Sequence, residues 1–302
     1  MICEFYFTLR CNSSCEFCGN WRDETLLSFN ETPAGELDVF FSDLKLLGVR
    51  TVVFTGGEPL LRSDLPKALK SALSSGLKTK LFTNGILYPQ RQAELAGLIG
   101  ELYVSLDAPL QSEHDRIRGQ ECFAEALHSL DAAAKKGQRT VMNFTMTRDS
   151  IAYLPDMVEL AEKLGVKIRI NPVYDFFGTE GFERESIEYI RRYLKHRRVV
   201  LSRKMLDILK KKGNDIESPV CRALDNIITV LPDLSLVLPC FRLRQAYVPT
   251  LGRVSSVLNS DMVKGYKKLK GRTPECSGCM RWEYLCPGEK KGFLQRLTSA
   301  FK

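Results

Sequence analysis

From residue 35 onward, stretches with apolar residues three and four apart alternate with short β-branched or aromatic runs. "GELDVFFSDLKLLG" (35–48) has helical spacing, and "RTVVFTGG" (50–57) is a short strand ending in glycines. "LPKALKSALSSG" (65–76) leads to "KTKLFTNG" (78–85), and "RQAELAGLIG" (91–100) leads to "ELYVSLDA" (101–108). "FAEALHSLDAAAKKG" (123–137) leads to "QRTVMNFTMTR" (138–148), and "LPDMVELAEKLG" (154–165) to "VKIRINPVY" (166–174). Together with the strand-like "EFYFTLR" (4–10), this makes six strand–helix alternations over about 175 residues. Such alternation predicts an α/β fold in which helices cover a parallel sheet. Functional groups then gather at the carboxyl ends of the strands.

The pattern changes after this region. Residues 178–218 read as helical and basic: between 191 and 212 stand ten Lys or Arg against Asp207 alone. Such a run suits an acidic substrate, anionic lipid headgroups or nucleic acid, or it is simply the solvated face of a helix. No aromatic platform or RNA-binding signature accompanies it, which argues against nucleic acid. At the end, Phe293, Leu297 and Phe301 recur at four-residue spacing among basic residues, a pattern for docking on the protein or lying on a membrane surface. No run is long and apolar enough to span a membrane, and no charged-then-apolar leader opens the chain. A cytoplasmic location is expected, and there ten cysteines in 302 residues point to metal or redox chemistry rather than to disulfides.

Three of those cysteines, Cys11, Cys15 and Cys18, form C-x3-C-x2-C directly after the first strand-like run. Four thiolates close a zinc site or an iron–sulfur cluster. Three complete three irons of a four-iron cube and leave the fourth iron open to a ligand. The nearest histidine in sequence is His114, so a local Cys3His zinc site lacks a fourth ligand. With Phe17 just before the last cysteine, the motif resembles that of the radical S-adenosylmethionine (radical SAM) enzymes. The resemblance implies a [4Fe-4S] cluster whose open iron chelates S-adenosyl-L-methionine. Reductive cleavage then gives a 5′-deoxyadenosyl radical that abstracts hydrogen from a substrate. It also implies a partial (β/α)6 barrel, in agreement with the count and order of the alternations.

The strand ends extend the resemblance to about residues 4–175. "TGGEP" (55–59) closes the second strand, and in the family this turn, with Gly56, Gly57 and Glu58, faces the methionine amine. Paired glycines allow close backbone approach, although an ordinary tight turn would use the same residues. By similarity Asn84, in "FTNG", and Ser105 and Asp107, in "VSLDAP", face the cofactor. Arg118 stands where related enzymes place an arginine near the methionine carboxylate, and Asn143 where a side chain hydrogen-bonds the cofactor. In "SEHDRIRG" (112–119), His114 and Arg116 alternatively only cap that loop.

The last third returns to cysteine. Cys221 and Cys240 flank "NIITVLPDLSLVL", which reads as a hairpin, and Cys276 and Cys279 form a C-x2-C with Cys286 beyond. This resembles the Twitch domain, the shorter relative of the SPASM extension, and implies a second [4Fe-4S] cluster. The assigned ligands are Cys221, Cys240, Cys276 and Cys279, with Cys286 as the alternative; structural zinc would use the same thiolates. Cys3 and Cys122 read as small buried apolar residues.

Three parts are therefore expected: a partial barrel over 1–177, a basic helical segment over 178–218, and a Twitch-like hairpin-and-helix domain over 219–302. With the barrel starting so early, no preceding domain is expected to grip a peptide leader. The expected activity is oxidative, with the second cluster accepting an electron from the substrate radical and a flavodoxin- or ferredoxin-type protein supplying reductant. The alternatives are a peptide or protein maturase, an enzyme of lipids or isoprenoids on a peripheral membrane surface, and a metal-dependent binding module. The last leaves "GGEP" and the strand ends unexplained.

Overall fold

The computed structural model describes residues 1–173 and 182–285. Cys286, the tail from 287 onward and the first residues of the basic segment lie outside that range. Ten strands form one sheet: β1 Ile2–Thr8, β2 Thr51–Gly56, β3 Lys78–Thr83, β4 Glu101–Ser105, β5 Thr140–Met146, β6 Lys167–Pro172, β7 Val199–Val200, β8 Ile227–Val230, β9 Ser235–Leu238 and β10 Ala246–Pro249. Their spatial order is β10-β9-β8-β1-β2-β3-β4-β5-β6-β7. β1 to β6 are the expected strands, parallel and in chain order, each joined to the next through helix. The six-unit barrel pattern and its α/β class are thus realised.

Side chains alternate along each strand, so successive residues face opposite sides of the sheet. One side is apolar: Phe5 and Phe7 of β1, Phe54 of β2, Leu81 of β3, Val104 of β4 and Phe144 of β5 join one buried core with the helices. Its centre is aromatic, with Phe5 5.0 Å from Phe40 and 6.0 Å from Phe54 between ring centroids. Helices Asp38–Leu46 and Leu65–Ser74 contribute Phe40, Phe41, Leu65 and Leu69 to it. The other side carries Glu4, Tyr6, Lys80, Glu101, Tyr103, Asn143 and Arg169, most of them buried. Polar groups buried on a sheet face require partners or a ligand.

The two later parts complete the edges of this sheet. β8 pairs in parallel with β1, from Ile2 opposite Ile227 to Phe5 opposite Val230, and the expected hairpin with β9 follows. β7, from the basic segment, lies beside β6. An exposed edge of unpaired N–H and C=O groups is a liability that such coverage removes. Helices Arg184–Arg191 and Arg203–Lys210 bury Ile187, Ile190, Met205, Leu206, Ile208 and Leu209. Their cations point outward, and several are paired, as Arg191 with Asp207 at 3.2 Å and Lys210 with Glu188 at 3.4 Å. Much of the basic run is therefore the solvated side of helices whose apolar side packs onto the protein. Cys3 and Cys122 are buried as expected.

Phe5 touches Phe7, Phe40, Phe41 and Phe54 at the centre of the core. Phe5→Ala is expected to destabilise the fold by about 3–5 kcal/mol, read as a shift in the urea unfolding midpoint. A loss below about 1 kcal/mol would show that this cluster does not anchor the sheet.

Candidate active site

The chain leaves β1 into a loop that holds Cys11, Cys15 and Cys18. Two backbone bonds tie it to helix Gln111–Arg118, from Ser14 N to Arg118 O at 3.1 Å and from Glu16 N to Ile117 O at 3.0 Å. Cys18 N closes a turn on Cys15 O at 3.1 Å. The three cysteines border a cleft whose other walls are strand ends, Thr55 to Glu58, Phe82 to Asn84, Ser105 and Thr145. Phe17 and Arg118 close it beside Cys15. Of the expected strand-end residues, Gly56, Gly57, Glu58, Asn84 and Ser105 border the cleft with the thiols, whereas Asp107 and Asn143 do not.

The "GGEP" turn is built against the cysteine loop. Gly57 N donates to Thr8 O at 2.8 Å, and Glu58 N to Arg10 O at 2.8 Å. A Cβ on Gly57 would overlap Arg10 O, and one on Gly56 would overlap Thr8 O. Both glycines border the cleft, and the chain that needs their bare backbone is the protein's own. Glu58 is 1% exposed. Its carboxylate accepts from Leu60 N (3.0 Å), Thr83 Oγ1 (2.8 Å) and Asn84 N (2.7 Å), which fastens the end of β2 to that of β3. Burial pushes this carboxyl up to about 7 against those donors. Asn84 in turn donates to Asn12 Oδ1 (2.8 Å) and Ser13 Oγ (3.0 Å), bracing the loop from below.

Arg118 is the last residue of its helix, before Gly119 in the left-handed conformation. Its buried guanidinium lies 2.5 Å from Asp107 Oδ2 and 3.5 Å from Cys15 Sγ, and 5.5 Å from the Phe17 ring centroid. Asp107 is fully buried behind Arg118 and does not border the cleft. Its other oxygen accepts from Thr145 N at 2.7 Å, and its own N–H donates to His114 Nδ1 at 3.1 Å. His114 is held neutral, down at about 3, by burial and by Arg118, so Nε2 carries the proton facing Cys122 Sγ at 3.5 Å. His114, Asp115 and Cys122 bring ligand atoms within 4.8 Å of one another, the one such trio among the described residues. Those atoms are already engaged: Asp115 Oδ1 accepts from Cys122 N and Phe123 N at 2.9 Å, capping helix Phe123–Lys135. The loop-capping alternative for His114 is what the structure displays.

Two observations bear on whether a cluster and S-adenosylmethionine fit this cleft. Asn143, opposite Ser105 in register but not bordering the cleft, has a buried Oδ1 without a hydrogen-bond partner among the described residues. Burial pushes Cys11 up to about 11 and raises Cys18, so thiolates here need a cationic centre to offset desolvation. A bound cluster supplies that cationic centre.

A second, small hollow is lined by Cys221, Cys240 and Cys276. Burial pushes Cys221 up to about 12, and negative charge at Cys240, Cys279 and Cys276 adds to the effect. All four assigned cysteines are thus neighbours. Asn214, buried at the end of the basic segment, organises the C-x2-C turn. Its side chain donates to Gly271 O (2.8 Å) and Cys276 O (3.2 Å), and its backbone exchanges bonds with Cys279 and Gly278. The same four thiolates suit a tetrahedral zinc ion or a four-iron cube.

Sequence reasoning missed the residues that join the two thiol groups. Arg281 follows the C-x2-C, is buried, and pairs with Glu4 of β1 at 3.1 Å. It packs 4.8 Å from the Tyr284 ring centroid, and Tyr284 shares a 2.8 Å hydrogen bond with Thr229 of β8. Tyr6 of β1 stacks on Phe241 at 4.1 Å, and Phe82 on Tyr103 at 4.3 Å with Arg169 nearby. Trp21 Nε1 donates to Cys15 O at 3.3 Å. The signal was present: charges at alternate positions inside otherwise apolar strands, as at Glu4, Lys80, Glu101, Lys167 and Arg169.

Among the described residues no helix is long and apolar enough to cross a membrane. The chain is 30% identical over 160 residues to the Fe-coproporphyrin III synthase of Methanosarcina barkeri, a match that takes in 52% of this chain and 39% of that protein. It is 27% identical over 239 residues to a probable GTP 3',8-cyclase of Sulfurisphaera tokodaii, covering 71% of this chain and 74% of the relative. In fold it is similar to SuiB of Streptococcus suis bound to precursor peptide SuiA, with a TM-score of 0.72 at 18% identity over 95% of this chain and 71% of SuiB. The family model described as the Radical SAM superfamily matches residues 5–161, a span that holds the three-cysteine loop, the glycine–glutamate turn and Arg118. The chain belongs to the radical SAM superfamily.

Proposed function

We propose that this radical SAM enzyme catalyses an oxidation, with Cys221, Cys240, Cys276 and Cys279 holding an auxiliary [4Fe-4S] cluster that accepts the substrate's electron. The observation that carries the reading is the second group of partly buried thiols gathered around its own hollow. In the main cleft, Cys11, Cys15 and Cys18 would hold three irons of the family's cluster. Bound there, the cluster and S-adenosylmethionine supply reductive cleavage of the cofactor and hydrogen abstraction from the substrate.

The chain's own residues supply the setting for that chemistry. The Asn143 acceptor and Ser105 offer hydrogen bonds at the strand ends. Arg118 donates toward Cys15, and the Phe17 ring beside it keeps water from that ligand. Arg281, paired with Glu4, links the auxiliary site to the polar face of the barrel sheet, where a substrate reached from the cleft would lie. An external flavodoxin- or ferredoxin-type protein would provide the reducing electron. A second reading, a peptide or protein maturase, is favoured by the fold likeness to peptide-bound SuiB, which takes in 95% of the chain and so includes the auxiliary region. The lipid reading rests on charge alone, because the basic helices bury their apolar sides against the protein.

Replacing Cys11, Cys15 and Cys18 together by Ala should abolish 5′-deoxyadenosine formation while about four irons per chain remain. Continued 5′-deoxyadenosine release from the reduced triple variant would refute the assignment of the main cleft.

Cys240→Ala is expected to lose about four irons and to stop net turnover while some cofactor cleavage persists. Cys286→Ala is expected to keep both clusters. Iron counting and paramagnetic resonance on anaerobically purified samples decide the matter. Zinc in place of iron would remove the electron-acceptor role, and cluster loss in Cys286→Ala would change the ligand set.

A further inference from the structure

The second thiol group lies under a patch of surface with an uncommon make-up. The rim of its hollow includes Tyr266, Leu269 and Thr273, and Leu269 is 57% exposed. Helix Asp261–Leu269 buries Val263 and turns its basic side outward. Lys267, Lys268 and Arg272, on this helix and just beyond it, have no ion pair or hydrogen bond from their side chains among the described residues. The basic segment reaches the same place from the other side. Lys211 and Lys212 are exposed at its end, and Lys212 O lies 3.6 Å from where a Cβ on Gly278 would stand, between Cys276 and Cys279. Arg222, exposed, follows Cys221 directly. The acids nearby do not cancel these charges. Asp225 is taken by Lys270 and Asp261 by Lys264, which leaves Asp215, Glu217 and Glu275 against the six unpaired cations.

An apolar spot inside a cationic rim, directly over redox-competent ligands, has the character of a transient electron-transfer interface. Such interfaces are small, and opposite charge supplies orientation and association rate rather than tight binding. A lipid surface would call for a broad apolar face, and here the large exposed apolar side chains are Leu269, Met262 on the same helix and Val220 beside Cys221. Nucleic acid would call for stacking platforms along a groove, and the patch offers Tyr266 alone.

We propose that this face is the docking surface for a small acidic one-electron carrier protein, an inference that rests on reading Cys221, Cys240, Cys276 and Cys279 as a four-iron site. The exchange is one electron between that site and the carrier, with no bond made or broken. The position also explains why the basic segment ends against the C-x2-C turn, held there through Asn214.

The test uses the full-length, iron-loaded enzyme and a purified acidic flavodoxin as the probe, with affinity measured by calorimetry across a salt series. Binding should weaken as salt rises. The charge reversal Lys267→Glu, Lys268→Glu, Arg272→Glu should weaken it about tenfold or more at low ionic strength. Reversal of Lys67 and Lys70, exposed on helix Leu65–Ser74, should change nothing. Equal affinity of the reversed-rim variant, or binding that ignores salt, would overturn the proposal. So would capture of the enzyme by phosphatidylglycerol vesicles without binding to flavodoxin. Metal analysis on the same samples separates this from the reading it rests on. Rim-dependent binding by a protein with zinc at the four thiols would keep the docking surface and remove the four-iron site. Rim-independent binding by a protein with both clusters filled would do the reverse.

Discussion

The arrangement of the cleft depends on one backbone-to-backbone contact. Where β1 ends and β2 ends, the chain runs so close to itself that Gly56 and Gly57 have no room for a Cβ beside Thr8 O and Arg10 O. Gly57 N and Glu58 N then donate to those same carbonyls. This contact sets the path of the chain into Cys11, and so sets where the first thiol stands relative to the strand ends. Any larger residue would push the turn and the loop apart, and the three thiols would lose their common wall. Glu58 and Asn84 extend the constraint to β3, each fixing backbone or side chain of the next element.

The far side of the loop is held by charge instead. Arg118 and Asp107 form a buried pair, and removing one member of such a pair costs about 3–5 kcal/mol because the other charge is left without compensation. Thr145, His114 and the helix cap through Asp115 hold that pair in turn, so the Cys15 position is over-determined. A stiff ligand loop suits a centre that must keep one coordination position open, since loose thiolates would close around a single metal ion.

What the sequence displayed and what it concealed differ in range. Cys11, Cys15 and Cys18, the glycine pair and the strand ends were legible because each is a local pattern at the end of a periodic segment. The six alternations were legible for the same reason. The partners of Arg118 were not, because Cys15 lies 103 residues away and the pairing follows from how one helix crosses the loop. Asp107 illustrates the limit: its motif is recognisable, yet the structure turns it behind Arg118, away from the cleft. The hairpin was legible as a hairpin, but its pairing with β1 depends on which sheet edge is free, a property of the folded sheet. Asn214 carries no motif at all. Its role comes from being buried where the basic segment meets the C-x2-C turn, and only the fold reveals that.

The central claim is that the three-cysteine loop presents an iron with a free coordination position to S-adenosylmethionine. Electron–nuclear double resonance on the reduced protein, with the cofactor labelled by nitrogen-15 at its amino group, addresses it directly. The expected result is a nitrogen hyperfine coupling that appears with the wild-type chain and vanishes when Cys11, Cys15 and Cys18 are replaced. A reduced cluster that shows no coupling to the labelled cofactor at saturation would contradict it.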